Sequence, residues 1–405
     1  MRRHLHTGVL PTAAALAAAM GVGRFVYTPI LPLMTAQAGL TAQAAGHLAT
    51  ANYVGYLGGA VATTLSPRLA RSATACRVAL VAIVASMAAM TMTVNLSAWL
   101  TLRTTAGFAS AVVFVVAVNT LLERLPEKAG RGFGGVGAGI AASAAMVLAL
   151  PTDDWRAAWW AAAGLAAVLA AAGWWVRPLR VTATTGTARA QVHRAGTARF
   201  ALLFTGYTLE GVGYIIAGTF LVAAVAQDSP GALGTGVWLV VGLAVLPSAA
   251  LWARLGTRLG RPAMLTAALA LQAAGIALAC LGGSAASITG ALLFGGTFIG
   301  VSTLAVAEGR LLGTRGAVAL LTVGYSVGQI AGPLVVAPLM SSGYRPVLAV
   351  SALIVSLAAL TAAAVGILGR QPRARLVDLQ RRTAAGEFVD DRPHGGPVLA
   401  GPPHE

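Results

Sequence analysis

The sequence predicts an all-α integral membrane protein with twelve transmembrane helices in two pseudo-symmetric six-helix bundles. Hydrophobic residues make up 57% of the 405 residues, and charged residues only 10%. A soluble domain has about 25% charged residues, so this chain cannot cover itself with polar surface. Apolar runs of about 20 residues recur along the chain, and a glycine-rich run with one charge begins each half, at residues 20–33 and 210–221. These observations argue against a soluble fold and indicate two related halves.

Twelve spans follow when each run of about 20 apolar residues is assigned to one helix. We expect an N-terminal six-helix bundle over 1–177, a cytoplasmic linker loop over 178–198, a C-terminal six-helix bundle over 199–369 and a disordered cytoplasmic tail over 370–405, which is rich in polar residues. The spans cover residues 8–34, 42–66, 74–94, 97–122, 131–151, 157–177, 199–226, 233–253, 262–282, 285–307, 316–340 and 346–369.

The distribution of basic residues sets the orientation of these spans. Nearly all of the 28 lysines and arginines fall in the two tails and in every second loop, whereas the opposite loops contain only Arg156 and Arg345. The positive-inside rule therefore predicts a multi-pass protein of the cell membrane with both termini in the cytoplasm. Because the basic residues are dispersed among short loops, the net charge of +16 does not indicate a nucleic-acid partner.

Motifs inside the spans resemble those of one transporter superfamily. The run LTLRTTAGFASA at residues 100–111 contains Arg103 and Gly107 in an R-x-x-x-G pattern, and glycines recur every fourth residue from 324 up to Pro333. The runs GRFVYTPILP at 23–32, LEGVGY at 209–214 and GTFL at 218–221 form a narrower pattern. On these residues the chain resembles the major facilitator superfamily and, within it, the YbfB/YjiJ-type branch, over about residues 8–369.

The resemblance implies a secondary active transporter that moves a small organic solute across the cytoplasmic membrane by alternating access. No ATP-binding motif occurs in the sequence, so we expect transport to be driven by a proton gradient. The glycine-proline motif favours efflux. The alternative is a proton-coupled uptake symporter for an organic anion, which Arg24 favours. We expect a monomer without a cofactor.

One charge lies near the centre of each leading span, Arg24 in span one and Glu210 in span seven. A charge at the bilayer centre costs about 2.5–3.5 kcal/mol on insertion scales, so it needs a partner or a water-filled cavity. Tyr27 shares the helix face of Arg24, and Tyr214 shares that of Glu210. Substrate sites of two-half transporters lie near the midplane. We expect Arg24 to bind substrate and Glu210 to carry a proton or cation; the alternative is a permanent ion pair that holds the halves in register.

Arg103 is the third charge inside a span, and the resemblance implies that it acts in proton coupling or in gating beside the cavity. The alternative is that its long side chain extends to the outer interface. Other neutral polar residues inside the spans are candidates either for the cavity or for hydrogen bonds between helices: Asn52, Tyr56, Asn119, Tyr325 and Gln329. Candidates for close packing and gating are the glycines and prolines that permit helix contact or interrupt a helix: Gly21, Gly23, Pro29, Gly107, Gly211, Gly213, Gly328, Gly332 and Pro333.

Two runs resemble enzyme motifs. Residues 132–137 fit G-x-G-x-x-G, but no strand precedes them, as a dinucleotide site requires. Residues 324–328 fit G-x-S-x-G around Ser326, so a membrane-embedded serine hydrolase is the alternative from another class. Such a serine needs a base, and His47 is the one histidine inside a predicted span. We therefore expect neither an enzyme nor a metal site.

Overall fold

The structure is a computed structural model that describes residues 9–125, 128–150, 154–178, 194–229, 231–312, 314 and 316–384. Over these residues the chain is helical and forms no strand. The all-α fold predicted from composition is therefore confirmed. The helices are α1 (Val9–Gln37), α2 (Ala42–Leu65), α3 (Ala73–Ala89), α4 (Leu96–Arg124), α5 (Ala129–Leu148), α6 (Trp155–Gly173), α7 (Arg194–Asp228), α8 (Leu233–Leu259), α9 (Arg261–Leu281), α10 (Ser284–Leu311), α11 (Ala317–Val336) and α12 (Tyr344–Ala384).

Within the described ranges, 11 of these helices are long and apolar enough to cross a membrane. The helix that does not reach this hydropathy is α2, because His47, Asn52 and several glycines and threonines dilute its apolar residues. Its length of 24 residues is still sufficient for a span. The arrangement of the helices in two pseudo-symmetric bundles remains a prediction.

The chain divides into two compact units, Met1–Val365 and Gly366–Glu405. The first contains α1 to α11 and most of α12, and the described part of the second is the end of α12. This helix continues to Ala384, beyond residue 369, where the last predicted span ends. Residues 179–193, which make up most of the predicted linker, and residues 385–405 of the predicted tail lie outside the described residues.

Helix α1 changes its winding in the middle. Ala17–Arg24 winds as a π-helix, Phe25 and Val26 form a turn, and an α-helix resumes over Tyr27–Gln37. Pro29 accounts for the break, because it has no N–H to donate to the carbonyl of Phe25. That carbonyl accepts instead from the Thr28 N–H, at 3.1 Å. Pro29 thus lies in the first turn of the resumed helix, where proline is tolerated, and the break lies just before it.

Glycines bring α2 and α4 into close contact. A methyl group added at Gly107 of α4 would overlap the carbonyl oxygen of Asn52 on α2, and one added at Gly55 would overlap the carbonyl of Thr104. Small residues at such crossings let helix backbones approach closely in a membrane. Gly107 is therefore required for this packing, whatever its role in gating.

Replacing Gly107 by alanine should lower the stability of the protein by about 1–3 kcal/mol, the usual cost of overpacking a tight contact. Thermal unfolding of the purified protein in detergent measures this as a lower Tm. The matched control is Gly164→Ala on α6, where a methyl group would meet no atom within 4 Å. Equal Tm values for the two variants would contradict the close contact between α2 and α4.

Candidate functional site

Arg24 lies at the end of the π-helical segment, with only 4% of its surface exposed. Its Nη2 donates to Oε1 of Gln329 on α11 at 2.6 Å. Its Cζ lies 4.2 Å from the ring centroid of Tyr56, 5.1 Å from that of Tyr53 and 5.4 Å from that of Phe25. Aromatic rings stabilise a cation, most strongly where water is excluded. Arg24 Nε has no hydrogen-bond partner in the described part of the chain.

Glu210 lies on α7 and is completely buried. Its Oε1 accepts from Nε2 of Gln272 on α9, at the long distance of 3.4 Å. Tyr325 of α11 packs against Gly211, the residue that follows Glu210. The second carboxyl oxygen, Oε2, has no hydrogen-bond partner among the described residues. A cavity of about 10 Å³ that Glu210 and Gly206 help to line lies beside it, close to the minimum size for one water molecule.

The two central charges are not bonded to one another. Ion pairs in the described ranges include Arg71–Glu123 at 2.9 Å and Arg199–Glu308 at 3.1 Å, and neither involves Arg24 or Glu210. Helix α11 lies beside both central groups instead: Gln329 accepts from Arg24, and Tyr325 packs against Gly211, next to Glu210. The alternative of a permanent ion pair between Arg24 and Glu210 does not describe this conformation. Each charge is buried with a neutral partner.

Arg103 supports the broken part of α1. Its Nη1 donates to the carbonyl of Gly23 at 3.3 Å and its Nη2 to that of Arg24 at 3.1 Å. The break before Pro29 removes the helical donors of these two carbonyls, and Arg103 replaces them. Only 2% of Arg103 is exposed, so it does not extend to the interface. Arg103 therefore positions the backbone that carries Arg24.

Several predicted cavity residues instead bond to the backbone of neighbouring segments. Hydrogen bonds of this kind join helices in a membrane. The bonds run from the Tyr27 hydroxyl to the Ala45 carbonyl at 3.0 Å, from Asn52 Nδ2 to the Arg103 carbonyl at 3.0 Å and from Asn119 Nδ2 to the Ala70 carbonyl at 3.3 Å. For these three residues the structure therefore favours the packing role over a direct role in the cavity.

Aromatic rings of α7, α10 and α11 lie next to the residues that surround Arg24. Tyr214 of α7 stacks on Phe298 of α10, with centroids 4.7 Å apart, and faces Tyr325 of α11 at 5.7 Å. Tyr325 in turn stacks on Tyr207 of α7 at 4.5 Å. Phe25, whose ring centroid lies 5.4 Å from Cζ of Arg24, makes an edge contact with Phe298 at a centroid distance of 5.7 Å. The structure thus brings Arg24, Tyr56, Gln329, Tyr325 and Tyr214 into one cluster, with Glu210 beside it.

The predicted packing residues lie at helix contacts, and Pro333 is buried inside α11. Their role in gating remains a prediction, as does that of Pro29. A methyl group added at each of these glycines would meet a residue of another helix. The pairs are Gly21 with Gly139, Gly23 with Ile83, Gly211 with Tyr325, Gly213 with Val355, Gly328 with Thr208 and Gly332 with Ile215.

Prediction from the sequence did not identify Tyr53 or Gln272 as members of the site. Gln272 had a usable signal, because it is the one strongly polar residue in the apolar run 267–281. Tyr53 had no such signal, because every polar residue on α2 was an equally good candidate for the site. Its hydroxyl lies 2.9 Å from Oγ1 of Thr219 on α7, and this contact depends on the tertiary fold.

Ser326 is buried in α11, and its hydroxyl has no hydrogen-bond partner in the described part of the chain. A serine nucleophile requires a base within hydrogen-bond distance. The described residues provide none, so the G-x-S-x-G match at 324–328 does not correspond to a catalytic arrangement in this structure.

Comparisons with known proteins agree with this architecture. The family model described as "Uncharacterised MFS-type transporter YbfB" matches residues 16–363. The fold is similar to that of the nucleoside transporter NupG, with a TM-score of 0.67 and 11% identity over 89% of this chain and 98% of that chain. A point mutant of NupG gives a TM-score of 0.68 and 11% identity over 88% of this chain and 100% of that chain. A comparison with curated proteins gives no match.

At 11% identity the similarity to NupG shows the fold alone. The family model, by contrast, spans most of the chain and confirms the resemblance found in the motifs. The chain therefore belongs to the YbfB-type family of the major facilitator superfamily and is a secondary transporter, a multi-pass membrane protein and not an enzyme.

Proposed function

We propose that this protein is a proton-coupled transporter of small organic anions, in which Arg24 binds the anion and Glu210 carries the proton. The observation that supports the proposal best is the burial of Arg24 without a carboxylate partner among the described residues. A buried charge is costly unless it is paired. An anionic substrate would supply the missing negative charge at this position.

The hydrogen bonds of Arg24 favour a carboxylate as the head group of that anion. One side of a guanidinium group presents Nε–H and Nη2–H as two parallel donors, which a carboxylate accepts with its two oxygens. Here Gln329 provides one amide oxygen, bonded to Nη2, and Nε remains without a partner. A carboxylate that displaced the Gln329 oxygen would satisfy both donors at once.

The surroundings of Glu210 support its role as the proton carrier. The carboxyl group is buried beside a neutral group, the Gln272 amide, and one of its oxygens has no partner in the described ranges. A proton on that oxygen would remove the cost of the buried negative charge. Gln329 of α11 accepts from Arg24, and Tyr325 of the same helix packs against Gly211, next to Glu210. Helix α11 would therefore connect anion binding at Arg24 with proton binding at Glu210.

Alternating access between two six-helix bundles is the motion that we propose for transport. The first span of each predicted bundle is glycine-rich and contains one charge, Arg24 or Glu210. The two charges would therefore face one pathway from opposite halves. We further propose that the protein works as a monomer in the cytoplasmic membrane with both termini in the cytoplasm. The predicted preference for efflux rests on the glycine-proline motif alone, whereas the site itself would bind an anion in either direction.

Flux into proteoliposomes tests the proposal. We expect that some acids of a panel containing lactate, succinate and benzoate enter faster than into protein-free liposomes, and that a proton gradient accelerates their entry. The corresponding amides, which lack the charge, should not enter faster. A nucleoside, the solute named for the structural relatives, is the uncharged control. Transport of nucleosides or amides without transport of any acid would contradict the proposal.

A further inference from the structure

We propose that the substrate is a planar aromatic carboxylate, whose carboxylate binds Arg24 and whose ring lies against the aromatic side chains of α7, α10 and α11. This inference rests on the proposed function, because it requires that Arg24 bind the anionic head group. It adds the chemical class of the rest of the molecule.

The first observation is the orientation of the rings. Tyr207 and Tyr325 are inclined by 16°, Tyr325 and Tyr214 by 14°, and Tyr214 and Phe298 by 25°. Phe298 and Phe294 are inclined by 13°. Five rings from three helices are therefore nearly parallel. Aromatic pairs in proteins also adopt edge-to-face contacts, but the neighbouring rings of this run stack on one another. A planar ring that joined the run would continue the same stacking.

The second observation is that this run of rings is continuous with the anion site. Cζ of Arg24 lies 5.4 Å from the ring centroid of Phe25. Phe298 makes an edge contact with Phe25, the neighbour of Arg24, at a centroid distance of 5.7 Å. A carboxylate on Nε and Nη2 of Arg24 would therefore have aromatic rings beside it, and the group attached to the carboxylate would meet them first.

The backbone of α7 packs closely against these rings at two glycines. A Cβ atom at Gly211 would lie 3.1 Å from Cδ2 of Tyr325, which is tighter than ordinary contact. At Gly218 a Cβ atom would lie 3.7 Å from Cε2 of Tyr214 and 3.9 Å from Cζ of Phe294. The α7 backbone thus leaves room for little more than a methyl group at these two positions. A ligand ring would therefore have to meet the aromatic rings from another side.

The side chains around Arg24 also favour a ring over an aliphatic chain. Its guanidinium group already contacts Tyr56, Tyr53 and Phe25, so aromatic groups from α1 and α2 surround it as well. An aromatic acid stacks on these faces and gains the ring–ring interaction in addition to burial. An aliphatic acid of equal size gains burial alone.

Binding of matched acids to the purified full-length protein tests the inference. The probes are benzoate, cyclohexanecarboxylate, which has the same charge and a saturated ring, and benzamide, which has the ring without the charge. Isothermal titration calorimetry in detergent should give a Kd for benzoate about tenfold lower than for cyclohexanecarboxylate. Benzamide should bind far more weakly than either acid.

Two variants locate the preference. Phe298→Leu should reduce the tenfold preference to about twofold, because Phe298 stacks on Tyr214. Phe108→Leu is the matched control: Phe108 lies on α4 with 42% of its surface exposed, and it should leave the preference unchanged. Loss of the preference in both variants to the same extent would overturn the assignment to this surface.

The outcomes separate this inference from the proposed function. Equal binding of benzoate and cyclohexanecarboxylate, or binding of succinate and hexanoate without benzoate, would overturn the aromatic class and leave the anion transporter standing. Binding of none of these acids would overturn both. Equal binding of benzoate and benzamide would overturn the role of Arg24 as the carboxylate site.

Discussion

Replacing Arg24 by lysine is expected to weaken binding of the anionic substrate by about tenfold to a hundredfold. The lysine retains the positive charge but has no planar pair of donors to match a carboxylate. Losing one hydrogen bond to a charged group costs about 1.5–3 kcal/mol, which corresponds to this range. Titration calorimetry on the purified variant gives the Kd, and circular dichroism with the Tm shows whether the variant has folded.

The matched control for this substitution is Arg156→Lys at the start of α6. Arg156 lies over the Trp155 ring and donates to the Thr91 carbonyl, away from the Arg24 cluster. We expect the control to bind the anion like the unchanged protein. A normal Kd for a folded Arg24→Lys variant would contradict the anion-binding role.

Replacing Glu210 by glutamine is expected to abolish transport driven by a proton gradient while substrate exchange continues. Glutamine has nearly the shape of a protonated glutamate, but it neither binds nor releases a proton. Gln272 can still donate to its amide oxygen, so the helix packing around position 210 should be preserved. Two assays on the same proteoliposomes measure the effect, one with an imposed pH gradient and one with labelled substrate exchanging against unlabelled substrate.

Glu123→Gln provides the same substitution at a partly exposed ion pair with Arg71. Pairs of this kind contribute little to stability, so both assays should give normal rates. Accumulation under a pH gradient by Glu210→Gln would exclude Glu210 as the proton carrier. Loss of exchange together with gradient-driven flux would point instead to a structural role of this carboxyl group.

The helices and the two central charges were predictable from the sequence for a simple reason. Long apolar runs have one stable arrangement in a membrane, so ten of the predicted spans lie within about five residues of the observed helix ends. A charge inside such a run is conspicuous, and both Arg24 and Glu210 proved to be buried. The family motifs added the transporter class, which the family model confirms.

The partners of these charges were not predictable, because they depend on how the helices meet. Arg103 was expected either at the cavity or at the interface, but it bonds two backbone carbonyls that the break in α1 has freed. That break depends on the donor missing from Pro29, and sequence spacing alone does not reveal which carbonyls lose a partner. Arg24 and Glu210 each have a neutral amide neighbour, Gln329 and Gln272, where direct pairing was the alternative.

A structure determined with a bound organic acid tests the central claim most directly. We expect the carboxylate of the ligand to lie within hydrogen-bond distance of both Nε and Nη2 of Arg24, with the Gln329 oxygen displaced from Nη2. A ligand bound elsewhere while the bond from Arg24 to Gln329 stays intact would contradict the claim that the substrate supplies the missing counter-charge.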